Sequence, residues 1–188
     1  MSRNDLRVQR TKKVLKDNFK DMFLNMDYNQ ITIKELCDRA MINRRTFYLH
    51  YNSIDDILNE ILDELAGDFF NYTSGYDHFA NPDKMIRDYF VFTHEHPLFE
   101  KLNNNIDYNY IREMLNSKVR DIAKVNFKSI LHHDEFTIKM ISTYLNSATV
   151  NMYRIWSRDG KKVSIEEAIK VATTLIKKGI NSMTKENR

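Results

Sequence analysis

Four glycines and two prolines in 188 residues leave this chain few places to turn tightly or to break a helix. A sandwich or barrel needs a turn about every 8–12 residues, and turns draw heavily on Gly and Pro. Apolar residues instead recur at i, i+3, i+4 and i+7 along most of the chain, the spacing of amphipathic helices. The expected fold class is therefore all-α, with about nine helices. A 42% hydrophobic and 29% charged composition is that of a folded chain, not a disordered one.

The single Cys37 excludes an internal disulfide framework and any cysteine-based zinc cluster. No apolar run approaches a membrane span, and the N-terminus lacks the apolar core of a signal peptide. The expectation is a soluble cytoplasmic protein with no membrane partner. Charge is uneven along the chain. Residues 1–52 carry 11 Lys/Arg against 6 Asp/Glu, whereas residues 53–188 carry 18 against 20. A basic front on a nearly neutral body suggests an anionic partner at the N-terminal end.

The first long helix reads from Asn4 to about Met26, with Val14, Leu15, Phe19, Met22, Phe23 and Met26 on one face. Arg7, Arg10, Lys12, Lys13 and Lys16 load its start with positive charge, which opposes the helix dipole unless a polyanion is near. Short, capped helices follow. Thr32-Ile-Lys-Glu35 has the form of a capping box, and Ile33, Leu36, Cys37 and Ala40 make the stripe behind it. Asn43 is an N-cap for a helix from Arg44 to about His50, and only Met41-Ile42 separates the two. Ser53 caps a longer helix, with Asp55 and Asp56 in its first turn and a stripe from Ile54 to Leu65. After a turn-rich segment at 71–83, helices are expected at 83–95, 97–103, 107–131, 135–157 and, from the Ser164–Glu167 capping box, to about Met183.

Helix, short turn and helix behind a basic approach is the outline of a helix-turn-helix DNA reader. The stretch from Thr32 to Tyr51, above all Thr46-Phe-Tyr-Leu-His-Tyr51, resembles the signature of the TetR/AcrR family of transcription regulators. The match covers about residues 8–62. In such a motif Leu36, Cys37, Ile42, Phe47 and Tyr51 form the inward core. The resemblance implies that Lys34, Arg44, Arg45, Thr46 and Leu49 lie near bases, and that Thr32, Tyr48 and His50 contact the DNA backbone. The residue types suit those roles, since arginine takes a guanine edge or a phosphate bidentately and hydroxyls and imidazole donate to phosphate. Three positions depart from the family pattern: Met41 for the turn glycine, Ile54 for a phosphate-binding lysine, and Cys37 for alanine.

Farther on, the pattern of Tyr144, Ala148, Trp156, Gly160, Ser164, Glu167 and Gly179 resembles a C-terminal type of Gram-positive members of the family. The expected division is a DNA-binding domain at 1–60 and a dimerisation and effector domain at 61–188. The seam Ile165, Ile169, Ala172, Ile176 and Gly179 is the expected dimer interface, where small residues let a partner helix approach. Tyr89, Phe90, Tyr110, Met114, Tyr144 and Trp156 are candidates for a small-molecule effector pocket, and helix packing is the alternative use of the same aromatics.

His94-x-His96 and His132-His133 lack thiolates or carboxylates at ligand spacing, so no metal and no other cofactor is expected. The absence of a Gly-rich phosphate loop, a Gly-x-Ser-x-Gly elbow and a Cys–His pair argues against an enzyme and leaves no catalytic residue to name. The resemblance implies a homodimeric, sequence-specific DNA-binding regulator on a near-palindromic operator in double-stranded DNA, most commonly a repressor released by a small-molecule effector. A transcriptional activator and a nucleoid-associated DNA-binding protein of the same fold stand as alternatives.

Overall fold

The computed structural model describes residues 3–123 and 134–185. They form nine α-helices and no strand: α1 (Arg3–Asn25), α2 (Ile33–Ala40), α3 (Arg44–Tyr48), α4 (Ile54–Thr73), α5 (Pro82–Glu95), α6 (Pro97–Asn104), α7 (Asn109–Ala123), α8 (Glu135–Arg158) and α9 (Ile165–Lys185). Single 3₁₀ turns precede α2 and α7. The chain divides into two compact units, Met1–Leu65 and Ala66–Arg188. Among the described residues no helix is long and apolar enough to cross a membrane.

In the first unit α1 buries Leu15, Phe19, Met22 and Phe23 completely, while Val14 at the edge of the same stripe stays exposed. Leu36, Cys37 and Ala40 of α2, Phe47 of α3, and Ile57, Leu58, Ile61 and Leu62 of α4 complete the core. Each fully buried large apolar side chain contributes about 1.5–3 kcal/mol, which is what lets helices as short as α2 and α3 persist. Across the α1–α4 seam, Glu60 pairs with Lys12 and Lys16 at 3.0 Å each, and Glu64 pairs with Lys16 and with Lys20 at 3.1 Å.

In the second unit α5 is buried on more than one side, through Met85, Ile86, Tyr89, Phe90 and Phe92. Its rings join Phe69, Phe99, Tyr153 and Trp156 in one aromatic core, with Phe69–Phe92 and Phe90–Tyr153 edge-to-face at 5.2 Å. Trp156 Nε1 donates to Val163 O at 3.0 Å and so fixes the α8–α9 turn. Arg87 forks onto Glu166 at 2.8 and 2.6 Å, and Lys177 meets Asp83 at 2.5 Å, both joining α5 to α9.

Several expectations shift. α4 runs on to Thr73, so the turn segment begins later than position 71. The expected end of the 107–131 helix and the His132-His133 corner lie outside the described residues, although Asp134 caps α8 by accepting from Thr137 N at 3.0 Å.

The seam on α9 needs a larger correction. Ile169, Ala172 and Ile176 are buried inside the protomer, at 4%, 1% and 0% exposure, where α9 lies against α5 and α8, and Ile165 is half-buried. The surroundings of Gly179 lie outside the described residues. Periodicity shows that a stripe will be buried but not which helix buries it. Among the described residues of α8 and α9, the large apolar side chains still open to solvent are Val171 and Leu175 on α9, at 54% and 55%, and Phe136, Met140, Tyr144 and Ile155 on α8.

Candidate nucleic-acid interface

The motif is assembled from its caps inward. Thr32 Oγ1 accepts from Glu35 N at 3.2 Å and starts α2. The reciprocal half of the expected capping box is not used, because the Glu35 carboxylate accepts from Arg39 at 3.3 Å. α2 ends in the left-handed region at Met41, φ 53° and ψ 40°. Met41 N donates to Asp38 O at 3.3 Å and Ile42 N to Cys37 O at 2.9 Å, the bond pair of a Schellman turn. The sharp bend is therefore made by a β-carbon-bearing residue where glycine would be unstrained. The Met41 side chain is 93% exposed, so it recovers none of that cost by burial.

Asn43 then accepts from Arg45 N at 2.8 Å and opens α3. α3 is shorter than the Arg44–His50 helix expected, since its last regular residue is Tyr48. The turn continues, however, with His50 N and Tyr51 N both donating to Phe47 O. Phe47 is fully buried and meets Tyr48 edge-on at 5.4 Å and Tyr51 at 5.9 Å. Tyr51 is buried and donates to Glu60 at 2.8 Å. Of the five expected core residues, Leu36, Cys37, Phe47 and Tyr51 are buried and Ile42 is half-buried.

With Phe47 inward, the outward residues follow. Thr32, Lys34, Arg44, Arg45, Tyr48 and Leu49 are exposed, Leu49 at 73%, while Thr46 and His50 are half-buried. Arg44 and Arg45 have no carboxylate within ion-pair distance among the described residues, although Arg44 is close enough to Cys37 to pull on its thiol. Burial outweighs that pull and pushes the Cys37 thiol up.

The basic start of α1 proves to be two populations. Lys12, Lys16 and Lys20 are tied to α4 carboxylates, and Lys13 pairs with Asp17 at 2.6 Å. Arg7 and Arg10 are exposed and remain available to an outside anion. Helical spacing alone could have separated them, because positions 12, 16 and 20 form one i, i+4 row. Burial resists ionisation of Glu60, but the bonds from Lys16, Lys12 and Tyr51 hold its carboxyl down to about 2. Ile54, the first residue of α4, is half-buried, and Ser53 Oγ accepts from Asp56 N at 3.2 Å beside it.

The six effector-pocket candidates divide. Tyr89, Phe90 and Trp156 lie in the buried aromatic core, Tyr110 is 77% exposed, Tyr144 is exposed and Met114 is half-buried. None of the six lines either of two clefts that open at α6, α7 and α8. Tyr89, Phe90 and Trp156 pack around Tyr153, with ring centroids 6.0, 5.2 and 5.5 Å from it. Among the described residues no group of His, Cys, Asp and Glu is placed to hold a metal ion.

Among the described residues the chain is all-helical, with two short capped helices joined by a tight turn near its N-terminus. The activator of the dhaKLM operon DhaS, an HTH-type protein of Lactococcus lactis subsp. lactis (strain IL1403), is 26% identical over 144 residues, covering 74% of this chain and 75% of that protein. A TetR transcriptional regulator from Streptococcus agalactiae 2603V superposes with a TM-score of 0.70 at 19% identity, over 92% of this chain and 97% of that one. A TetR-family regulator from Streptomyces coelicolor superposes at 0.62 with 14% identity, over 96% and 84%. No family model matches the chain. The chain has the TetR/AcrR-family transcriptional regulator fold, helix-turn-helix included.

Proposed function

We propose that this chain is a dimeric DNA-binding transcription regulator that reads its operator with α3. The observation that carries the reading is the two-sidedness of α3: Phe47 is fully buried while Arg44, Arg45, Tyr48 and Leu49 stand exposed on a helix fixed by its cap and its ring contacts. Lys34 of α2 and Arg7 and Arg10 of α1 are further exposed cations of the same unit, and Thr32 adds an exposed hydroxyl, all suited to phosphate contacts. The dimer is assigned to the uncovered α8–α9 surface around Tyr144, Val171 and Leu175, paired with a second copy as a four-helix bundle. Two α3 helices related by a two-fold axis meet successive major grooves, so the operator is near-palindromic.

Control by a small-molecule effector that changes the spacing of the two reading heads is the accompanying proposal, with repression by promoter occlusion as its simplest output. Activation is the second reading, and it is favoured by one observation: the relative in Lactococcus lactis is a transcriptional activator. Nothing in the site calls for catalysis, and the protein acts in the cytoplasm, where its DNA is.

Selection of bound sequences from a random library, followed by binding assays on the selected site, tests the reading. Arg44→Ala is expected to cost about 1–3 kcal/mol and to relax preference at one base position. Tyr48→Phe is expected to weaken binding evenly across sequences, as loss of a backbone contact does. If both variants bind the selected site like the unaltered protein, α3 is not the reading helix.

A further inference from the structure

α6 ends at three consecutive carbonyls, Asn103, Asn104 and Asn105, and each accepts from a different arginine. Arg154 Nε donates to Asn103 O at 2.6 Å, Arg158 to Asn104 O at 2.6 Å and Arg112 to Asn105 O at 3.3 Å. The remaining partners of these guanidiniums are neutral amide oxygens, Asn109 Oδ1 for Arg112 and Asn151 Oδ1 for Arg154. Among the described residues no carboxylate lies within ion-pair distance of any of the three. Among the described residues the nearby carboxylates are Glu113 on α7, Asp107, which lines the adjoining hollow with Lys101, and Glu100, which accepts from Ser157 Oγ at 2.9 Å and pairs with Lys161 at 2.8 Å. A helix C-terminus carries roughly half a negative charge, so three full positive charges around it are in large excess.

The three arginines line one cleft of about 360 Å³, and Arg158 also borders the adjoining hollow of about 630 Å³. Each guanidinium is a planar fork of N–H donors, so bonds to one or two oxygens leave donors toward the cleft. Like charges at close quarters repel, and burial together with its neighbours draws Arg154 below the ordinary arginine range. A second unmet demand borders the same place: Asn104 Oδ1 is buried with no hydrogen-bond partner, while its Nδ2 donates to Ser157 Oγ at 2.7 Å. An anion with several acceptor oxygens satisfies the guanidiniums, and a hydroxyl on the same molecule can satisfy the amide once it turns toward the cleft.

We propose that this cleft binds the phosphate group of a small, hydroxyl-bearing phosphate monoester, clamped by Arg112, Arg154 and Arg158. The inference deepens the effector reading above by naming the ligand's chemistry, and it rests on that reading only for its regulatory meaning. Bound phosphate ties α6, α7 and α8 together. Ile155 at the cleft lip is 70% exposed and lies on the α8 surface assigned to the second protomer, so occupancy acts next to the dimer contact.

Isothermal titration and thermal unfolding of the full chain, without DNA, test the site directly. Inorganic phosphate is the probe, against chloride at matched ionic strength and against malonate as a carboxylate dianion. Phosphate is expected to bind once per chain and to raise the melting temperature, with chloride inert and malonate weaker. Arg158→Gln removes an exposed fork with little cost to the fold, and Arg154→Lys keeps the charge but loses the fork. Each is expected to weaken phosphate by about tenfold or more, as loss of a charge-assisted bond does. The double variant Arg44→Gln/Arg45→Gln, which removes the proposed DNA contacts, is expected to bind phosphate as the unaltered chain does. Phosphate no better than chloride, stronger binding of malonate, or affinity untouched by Arg158→Gln and Arg154→Lys overturns the proposal. Loss of phosphate binding in the Arg44/Arg45 variant also overturns it, by placing the anion on the DNA face. A chain that binds phosphate but no DNA would sink the regulator reading and leave this site standing.

Discussion

Met41 shows how much one backbone angle can govern. Its φ of 53° closes the turn between α2 and α3, and its side chain is almost wholly in solvent. A left-handed residue with a β-carbon costs about 1–2 kcal/mol relative to the right-handed form, part of which glycine returns as entropy in the unfolded chain. Met41→Gly is therefore expected to stabilise the protein by about 0.5–1 kcal/mol and raise its melting temperature by about 1–4 °C. A lower melting temperature would show that the turn does not sit in the left-handed region.

Ile54 poses a different question at the same scale. It opens α4 half-buried, next to the fully buried Ile57, at a place where a cation would meet phosphate in the family pattern. Lysine can lay its stem along apolar surface and keep its ammonium in water. Ile54→Lys is expected to raise operator affinity and to steepen the log–log salt dependence by about 0.9 per half-site. An unchanged slope with a lower melting temperature would assign the side chain to the core instead.

Among the elements, the ladder between α1 and α4 makes the first unit's stability depend on pH. Glu60 is held at about 2 and Glu64 is also lowered, burial opposing and the lysine bonds prevailing in each. A carboxyl depressed in the folded state lends stability that is complete above its ordinary value near 4.5 and is lost as pH falls through the folded value. The ladder is thus expected to weaken between about pH 4.5 and pH 2. The pairs are partly solvated, so the effect of Glu60→Gln at neutral pH is about 1 kcal/mol once screening is counted. Denaturant melts at pH 7 and pH 3 check this. The gap between unaltered and variant protein should shrink at the lower pH, and a constant gap would mean that Glu60 contributes by shape rather than charge.

For the whole molecule, the correction on α9 changes which substitution breaks a dimer. Val171 and Leu175 are about half exposed in the protomer, whereas Ala172 is at 1% against its own core. Val171→Glu with Leu175→Glu is expected to yield a folded monomer by light scattering and circular dichroism. Ala172→Glu buries a charge and is expected to unfold the chain or make it insoluble, whatever its oligomeric state. A double variant that stays dimeric would move the interface away from this surface.

Local rules carried the sequence a long way. Breaker scarcity and 3.6-residue periodicity were enough for an all-helical chain. Thr32, Asn43, Ser53 and Ser164 each accept from the backbone two or three residues on, as their positions predict. These features depend on residues within one turn of each other, so they are legible without a fold. Tertiary structure alone decided the partners. It set Glu60 and Glu64 of α4 opposite the row of Lys12, Lys16 and Lys20. It laid Ile169, Ala172 and Ile176 against the protomer's own helices, and packed Tyr89, Phe90 and Trp156 around Tyr153. It also brought Arg112 of α7 together with the i, i+4 pair Arg154 and Arg158 of α8 around the end of α6. The physical reason is common to all four: an apolar stripe or a long charged side chain specifies that it will be buried or paired, and only the three-dimensional path of the chain specifies with what.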